Sequence, residues 1–157
     1  MTSKGTWLLL LLSAVSPAVL GNIIMRPSCT TGWFYHKSNC YGYFRKLRTW
    51  SDAELECQSY GTGSHLASIL DEKEAKTIAQ YISGYQRSQP VWIGLHDPQK
   101  RQQWRWIDGS SYLYKTWTGK SLGENKHCAE ISSSHQFSTW NNDECNKLRH
   151  FLCKYRP

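Results

Sequence analysis

Six cysteines set the strongest constraint on what this chain can fold into: Cys29, Cys40, Cys57, Cys128, Cys145 and Cys153. No two of them form Cys-x-x-Cys, so the spacing of a zinc ribbon or a thioredoxin-type redox pair is missing. An even count in 157 residues reads instead as a disulfide framework made in an oxidising compartment. Six cysteines admit fifteen pairings, and sequence alone does not choose among them. The start of the chain agrees with that compartment. Lys4 supplies a positive charge, Leu8 to Leu12 with Ala14, Val15 and Ala18 form a short apolar run, and the run ends at Val19-Leu20-Gly21 with small residues nearby. Residues 1–21 are therefore read as a secretory leader cleaved after Gly21. Ser13, Ser16 and Pro17 interrupt the run well short of the roughly 20 apolar residues of a spanning helix. The expected mature chain, residues 22–157, is secreted and extracellular, and without Lys4 it carries 18 basic against 12 acidic residues. It has no Asn-x-Ser/Thr sequon.

Composition narrows the class further. With 39% hydrophobic, 13% aromatic and 20% charged residues the chain can pack a core, and eight Trp and nine Tyr against two Met suit a recognition domain built on rigid aromatics. The formal charge of +7 is spread, with no basic cluster larger than Lys100-Arg101 or Arg45-Lys46 with nearby Arg48, so no nucleic-acid partner is expected.

No repeat or linker divides the chain, which predicts one domain after the leader. Trp33 to Tyr35 and Cys40 to Phe44, separated by polar His36 to Asn39, read as a short hairpin. Ser51 with Glu54 reads as a capping box opening a helix that buries Trp50, Ala53, Cys57 and Tyr60 and stops at Gly61. Asp71 and Glu74 open a second helix with an inward stripe of Ala75, Ile78, Ala79 and Ile82 and a stop at Gly84. Beyond Pro90 the pattern changes to strands: Val91 to Leu95, alternating Trp104 and Trp106, a turn at Asp108-Gly109, then Cys128 to Ile131, Phe137 to Trp140 and Arg149 to Tyr155. The last three are expected to form one antiparallel sheet. Lys115 to Lys126 reads as a long irregular loop. The fold class is α+β.

Trp50 to Cys57, His65-Leu66-Ala67-Ser68-Ile69, Trp92-Ile93-Gly94-Leu95, Trp140-Asn141-Asn142, Cys145 and Phe151-Leu152-Cys153 occur in order across Cys29 to Tyr155. Together they resemble the C-type lectin domain. The run from Trp92 to Pro98, ending His96-Asp97-Pro98, and the pair Cys153-Lys154 are similar to the regenerating-islet-derived (Reg) proteins. The resemblance implies two helices and antiparallel sheets stapled by Cys29–Cys40, Cys57–Cys153 and Cys128–Cys145. It also implies that Trp50, Trp92, Trp106 and Trp140 pack the core, leaving Trp104 and Trp117 without an assigned role.

Calcium-dependent members of this superfamily hold sugar through a metal bound by a Glu-Pro-Asn triplet in the long loop, an acidic residue before the following cysteine, and a Trp-Asn-Asp. Here the loop lacks that triplet, Lys126 and His127 precede Cys128, and Asn142 stands where the Asp would be. No metal or other cofactor is expected. Calcium requires six to eight oxygens, and the alternative is a reduced site from Glu124, Asn125, Asn141 and Asp143.

The loop after Leu95 also lacks the Glu-Pro-Asn of Reg relatives implicated in bacterial-wall recognition. Its Asp97, Pro98, Gln99, Lys100, Arg101 and Gln102 nevertheless supply amides, a carboxylate and cations that can pair with vicinal sugar hydroxyls. In the C-type lectin fold this loop borders the sugar face. Ser134, His135 and Gln136 are expected near the same end. Both segments are candidate carbohydrate contacts. The six histidines show no paired metal spacing and there is no Gly-x-Ser-x-Gly, so no catalysis is expected. The resulting expectation is a secreted, monomeric, calcium-independent lectin for polysaccharide, with mannose-type ligands implied by family precedent and no membrane insertion. The alternative is a growth-factor-like ligand of an epithelial cell-surface receptor.

Overall fold

A computed structural model describes residues 28–118 and 125–157. The expected leader, residues 1–21, and Glu124 of the long loop lie outside the described residues. Among the described residues eight strands form one sheet: β1 (Phe34–His36), β2 (Asn39–Arg48), β3 (His65–Leu66), β4 (Val91–His96), β5 (Arg105–Trp106), β6 (Cys128–Ile131), β7 (Trp140–Asp143) and β8 (Arg149–Tyr155). The main path runs β1-β2-β8-β4-β6-β7, with β3 added to β8 and β5 to β4. All pairings are antiparallel except β4 with β8, where Val91 faces His150 and Trp92 faces Phe151 in parallel. The expected antiparallel sheet thus contains one parallel pair. The chain between β4 and β8 is long enough for the crossover that a parallel pair requires.

Period-two alternation explains why β4 reads as a continuous apolar run. Val91, Ile93 and Leu95 pack on one face with Ile78, Ala79 and Ile82 of helix α2 (Glu72–Ser83), whereas Trp92 packs on the other with Trp50, Ala53 and Cys57 of helix α1 (Trp50–Gln58). A strand covered on both faces has no solvent side to mark with polar residues. Gly94 sits where a Cβ would run into the carbonyl of Leu66 and the side chain of Ile107. The four tryptophans expected in the core are there, with Trp50, Trp92, Trp106 and Trp140 at most 6% exposed. The indole of Trp50 donates to the Ile93 carbonyl at 2.8 Å, and that of Trp92 to the Arg48 carbonyl at 3.0 Å.

Helix α2 begins as the sequence predicts. Asp71 accepts from the Glu74 amide at 2.7 Å, and Gly84 follows the last turn. Helix α1 is capped differently: Thr49, not Ser51, accepts from the Asp52 amide at 3.2 Å. Glu54 is buried, accepting from the Leu66 amide and the Gln58 side chain, each at 2.8 Å, and bonding the His65 ring at 2.7 Å. It joins α1 to β3 instead of closing a capping box. The β1–β2 hairpin turns on Lys37 and Ser38, both with positive φ (45° and 69°), the backbone sense that matches strand twist in a two-residue loop.

Three disulfides occur with the expected pairing: Cys29–Cys40, Cys57–Cys153 and Cys128–Cys145, with Cα separations of 5.5, 5.4 and 5.2 Å. A buried polar knot adds a further tie. Lys154 donates to Glu74 at 2.8 Å and to the Ser68 carbonyl and hydroxyl at 3.0 Å, while Tyr41 donates to the same Glu74 carboxylate. The start of α2 is thereby fixed to β8 and β2. No helix among the described residues is long and apolar enough to cross a membrane.

Candidate functional site

The loop leaving β4 is organised from inside by one carboxylate. Asp97 is 1% exposed and accepts backbone N–H groups from Arg101 at 3.2 Å, Gln102 at 3.0 Å and Gln103 at 3.3 Å. The His127 ring lies 3.1 Å from the same carboxylate. Burial alone would raise its pKa, but the Gln102 amide, the His127 ring and the Arg101 and Gln103 amides outweigh burial and hold it below the usual carboxylate range. Asp97 therefore differs from the surface contact that composition suggests. It folds the loop, and Pro98, Gln99, Lys100, Arg101 and Gln102 are the residues displayed to solvent. Lys100 and Gln102 adopt left-handed backbone (φ 57° and 61°), a conformation that three amides converging on one carboxylate can enforce without glycine.

The second expected segment, Ser134 to Gln136, lies in a tight helical turn, Ser134–Phe137, with a left-handed core. His135, Gln136 and Phe137 have φ of 52°, 57° and 62°. Phe137 is buried among Ile131, Trp140 and the α2 residues and anchors the turn, so it does not begin a strand; β7 starts at Trp140. Ser134 donates its amide to the Ser132 hydroxyl at 3.1 Å, and the Ser138 hydroxyl donates to the His135 carbonyl at 2.6 Å. The side chains of His135 and Gln136 edge a cleft of about 900 Å³ whose other side is α2.

These two segments do not share an end of the domain. In the β4–β6 ladder His96 faces Cys128 and Val91 faces Ile131. The loop after His96 thus lies at the Cys128 end, and the turn after Ile131 lies at the other. A six-residue strand at about 3.4 Å per residue separates them. The expectation of a shared end is corrected. Only Pro98 to Gln102 form one exposed loop, and Ser134 to Gln136 belong to a different surface.

Two of the positions weighed for a metal, Asn142 and Asp143, are engaged by other groups. Asn142 is buried and its amide donates to the Lys126 carbonyl at 2.8 Å. Asp143 Oδ2 accepts from Arg149 at 2.9 Å, while Oδ1 accepts the Glu144 amide at 2.8 Å and lies 3.1 Å from Lys147 Nζ. Glu130 on β6 is 3% exposed, with Arg149 Nε 3.5 Å away, and burial pushes its pKa up to about 7. Among the described residues no three His, Cys, Asp or Glu side chains are grouped to hold a metal ion. Among the described residues the amide of Asn142 and the carboxylate of Asp143 are thus engaged with a carbonyl and two cations. Several histidines are likewise engaged: His150 with the Tyr43 hydroxyl at 2.7 Å, His96 stacked on Trp50 at 4.5 Å, and His65 and His127 on carboxylates.

Sequence reasoning missed the α2 side of the cleft. Gln80, Arg87 and Tyr114 carry no assigned role in the sequence reading, yet all three line the cleft.

A sheet flanked by α1 and α2, three disulfides in this order and loops at both ends of β4 define a C-type lectin domain, and the family model described as Lectin C-type domain matches residues 46–155. The chain belongs to the C-type lectin domain family and, within it, to the regenerating islet-derived proteins. It is 75% identical over 158 residues to human "Regenerating islet-derived protein 4", covering 100% of both chains. The solved structure of a single-residue mutant of the human regenerating gene type IV protein matches with a TM-score of 0.68 at 77% identity, covering 83% of this chain and 100% of that one. A "C-type lectin mannose-binding isoform" of Notechis scutatus scutatus is 34% identical over 154 residues, covering 96% of this chain and 98% of that one.

Proposed function

We propose that this protein is a secreted, monomeric lectin that binds mannose-type polysaccharide without calcium, and that it catalyses no reaction. The observation that carries the reading is the loop of residues 98–102, where two amide side chains, a lysine and an arginine are held outward by the buried Asp97 carboxylate. With the loop backbone fixed in this way, only side-chain rotamers remain to be ordered on meeting sugar hydroxyls, which favours binding through shallow polar contacts. Calcium independence is supported by the commitment of Asn142 to the Lys126 carbonyl and of Asp143 to Arg149 and Lys147. Mannose is the sugar class named for the Notechis relative. Secretion is supported by the leader at residues 1–21 and by the three disulfides.

A glycan array with the mature chain, followed by titration with mannan in calcium and in chelator, tests this reading. Metal removal is expected to change affinity less than about threefold, under about 0.7 kcal/mol. Loss of binding in chelator with recovery in calcium refutes calcium independence. Absence of polysaccharide binding beside saturable binding to epithelial cells refutes the lectin reading in favour of a receptor ligand.

A further inference from the structure

We propose that the sheet face beyond the end of α2, carrying Arg45, Leu47, Tyr85 and Leu148, docks a protein segment that presents a carboxylate among apolar side chains. The inference is independent of carbohydrate binding. Strand register puts the four residues together. Phe44 faces Phe151 on the α1 side of the sheet, and Arg48 faces Arg149. Between these pairs β2 advances four residues and β8 two, an even excess that returns Arg48 to the α1 side, where it reaches Glu56 at 3.4 Å. Leu47 and Leu148, each one residue away, therefore turn to the α2 side, as do Tyr43 and His150, whose hydroxyl and ring bond at 2.7 Å. Helix α2 ends at Ser83, and Leu47, Leu148 and Tyr85 are left 50%, 53% and 48% exposed. Large apolar side chains gathered on one exposed face mark an interaction site, whereas the same residues scattered singly do not.

The face is held in place before any partner arrives. The Trp92 indole N–H is shared between the carbonyls of Arg48 at 3.0 Å and Lys147 at 3.3 Å, so one buried side chain fixes the residues next to both leucines. Tyr85 packs edge-on against Tyr43 and Tyr81, with centroids 5.9 and 5.2 Å away, and the Arg45 guanidinium lies 5.2 Å from the centre of its ring. Side chains ordered in advance lose less freedom on binding, and Tyr and Arg are enriched among the residues that dominate protein interfaces. Charge then selects the partner. Lys46 and Arg48 pair with Glu56 at 2.9 and 3.4 Å, and Lys147 and Arg149 with Asp143 at 3.1 and 2.9 Å. Among the described residues Arg45 pairs with no carboxylate, and after burial its charge is the second cause that holds the His150 ring below its usual pKa. One free guanidinium beside apolar side chains is complemented by one carboxylate set among apolar groups. An anionic membrane is the poorer match, because it draws on several unpaired cations at about 1 kcal/mol each and the four neighbours are already paired. A second copy of the chain would bring the same formal charge of +7.

The test is an amide-resolved NMR titration of the mature protein with a set of short synthetic peptides in which Asp or Glu is flanked by Leu or Phe. It is repeated with copies carrying Asn or Gln in place of the acid, and with Leu47→Ser/Leu148→Ser and Arg45→Glu variants. Expected are shifts at Arg45, Leu47, Tyr85 and Leu148, with affinity about tenfold weaker for the amide copies and for either variant. Arg45→Glu should in turn bind peptides carrying Lys in place of the acid, which a merely structural role for Arg45 would not produce. Mannan affinity should be unchanged in both variants and the thermal midpoint should stay within about 2 °C, as exposed substitutions alter stability little. If the leucine variant does not fold, the charge exchange at Arg45 decides alone. Absence of peptide shifts at these four residues, or equal affinity for acid and amide peptides, overturns the proposal. Mannan affinity lost in folded variants also overturns it, assigning the face to glycan. Binding to phosphatidylcholine–phosphatidylserine vesicles that both variants lose, without peptide binding, overturns it in favour of a membrane surface.

Discussion

Replacing Asp97 with Asn separates a carboxylate that touches sugar from one that builds the loop touching it. The side chain accepts three backbone N–H groups at 3.0–3.3 Å and faces the His127 ring at 3.1 Å. Hydrogen bonds to a charged group contribute about 1.5–3 kcal/mol each, but they are not additive, and amides in an exposed loop can turn to water when released. An Asn keeps one acceptor oxygen while presenting an NH2 group to amides that need acceptors. The expected loss is about 2–3 kcal/mol, or roughly 5–10 °C in thermal midpoint for a domain of this size. Calorimetry with the disulfides intact reads the stability, hydrogen exchange reads the amides of Arg101, Gln102 and Gln103, and mannan titration reads binding. All three should fall together, with exchange accelerating at those amides in particular. Since the folded-state pKa of Asp97 is depressed, its stabilisation is present above the unfolded value of about 3.9 and is lost as pH falls through the lower folded value. Binding at pH 5 should therefore match that at pH 7, with loss only in stronger acid, and the Asn variant should lack that late acid step. If D97N keeps its midpoint and its amide protection but no longer binds mannan, the carboxylate contacts sugar directly and the organising role is wrong.

Two stability predictions follow from other parts of the molecule. Glu130 has a folded-state pKa raised by burial to about 7, so wild-type stability should fall as pH rises from about 4.5 to about 7 by up to about 3 kcal/mol. Glu130→Gln should flatten that slope in urea unfolding at pH 5 and pH 8, and an unchanged slope refutes the assignment. Removing the Cys57–Cys153 bridge, which spans 96 residues, should cost about 4.7 kcal/mol in the chain-entropy model, against about 3 kcal/mol or less for Cys29–Cys40, which spans 11. Equal losses in thermal unfolding refute a loop-length origin.

What the sequence made legible is what local periodicity encodes. The α2 stripe of Ala75, Ile78, Ala79 and Ile82 with its Asp71 cap, and the strand from Arg149 to Tyr155, appear as their patterns predict. The disulfide pairing came from resemblance, since cysteine spacing alone does not favour Cys57–Cys153 over other partners. Glu54 shows where local reading fails. Its spacing from Ser51 satisfies the capping-box pattern, yet the Leu66 amide and the His65 ring, brought near by β3, compete for the same carboxylate and hold it. Tertiary contact outweighs a local rule whose reward is about 1 kcal/mol.

The loops were harder to read for a different reason. A carboxylate in a polar turn looks the same in sequence whether it faces solvent or collects amides from its own loop, and Asp97 followed by Gln-Lys-Arg-Gln-Gln carries no periodicity to decide between them. The distance between the two candidate contact loops depends on strand direction. Because β6 runs antiparallel to β4, the turn at its far end returns to the Val91 side, away from the loop after His96. Asp97 and His127 meet for the same reason: the chain enters β6 where β4 ends, so the Asp97 amide donates to the His127 carbonyl at 2.8 Å and brings the two side chains together. The exposed row from Pro98 to Gln102 is thus a product of the β4–β6 register, and a substitution that shifts this register should disorganise the loop without touching any of its residues.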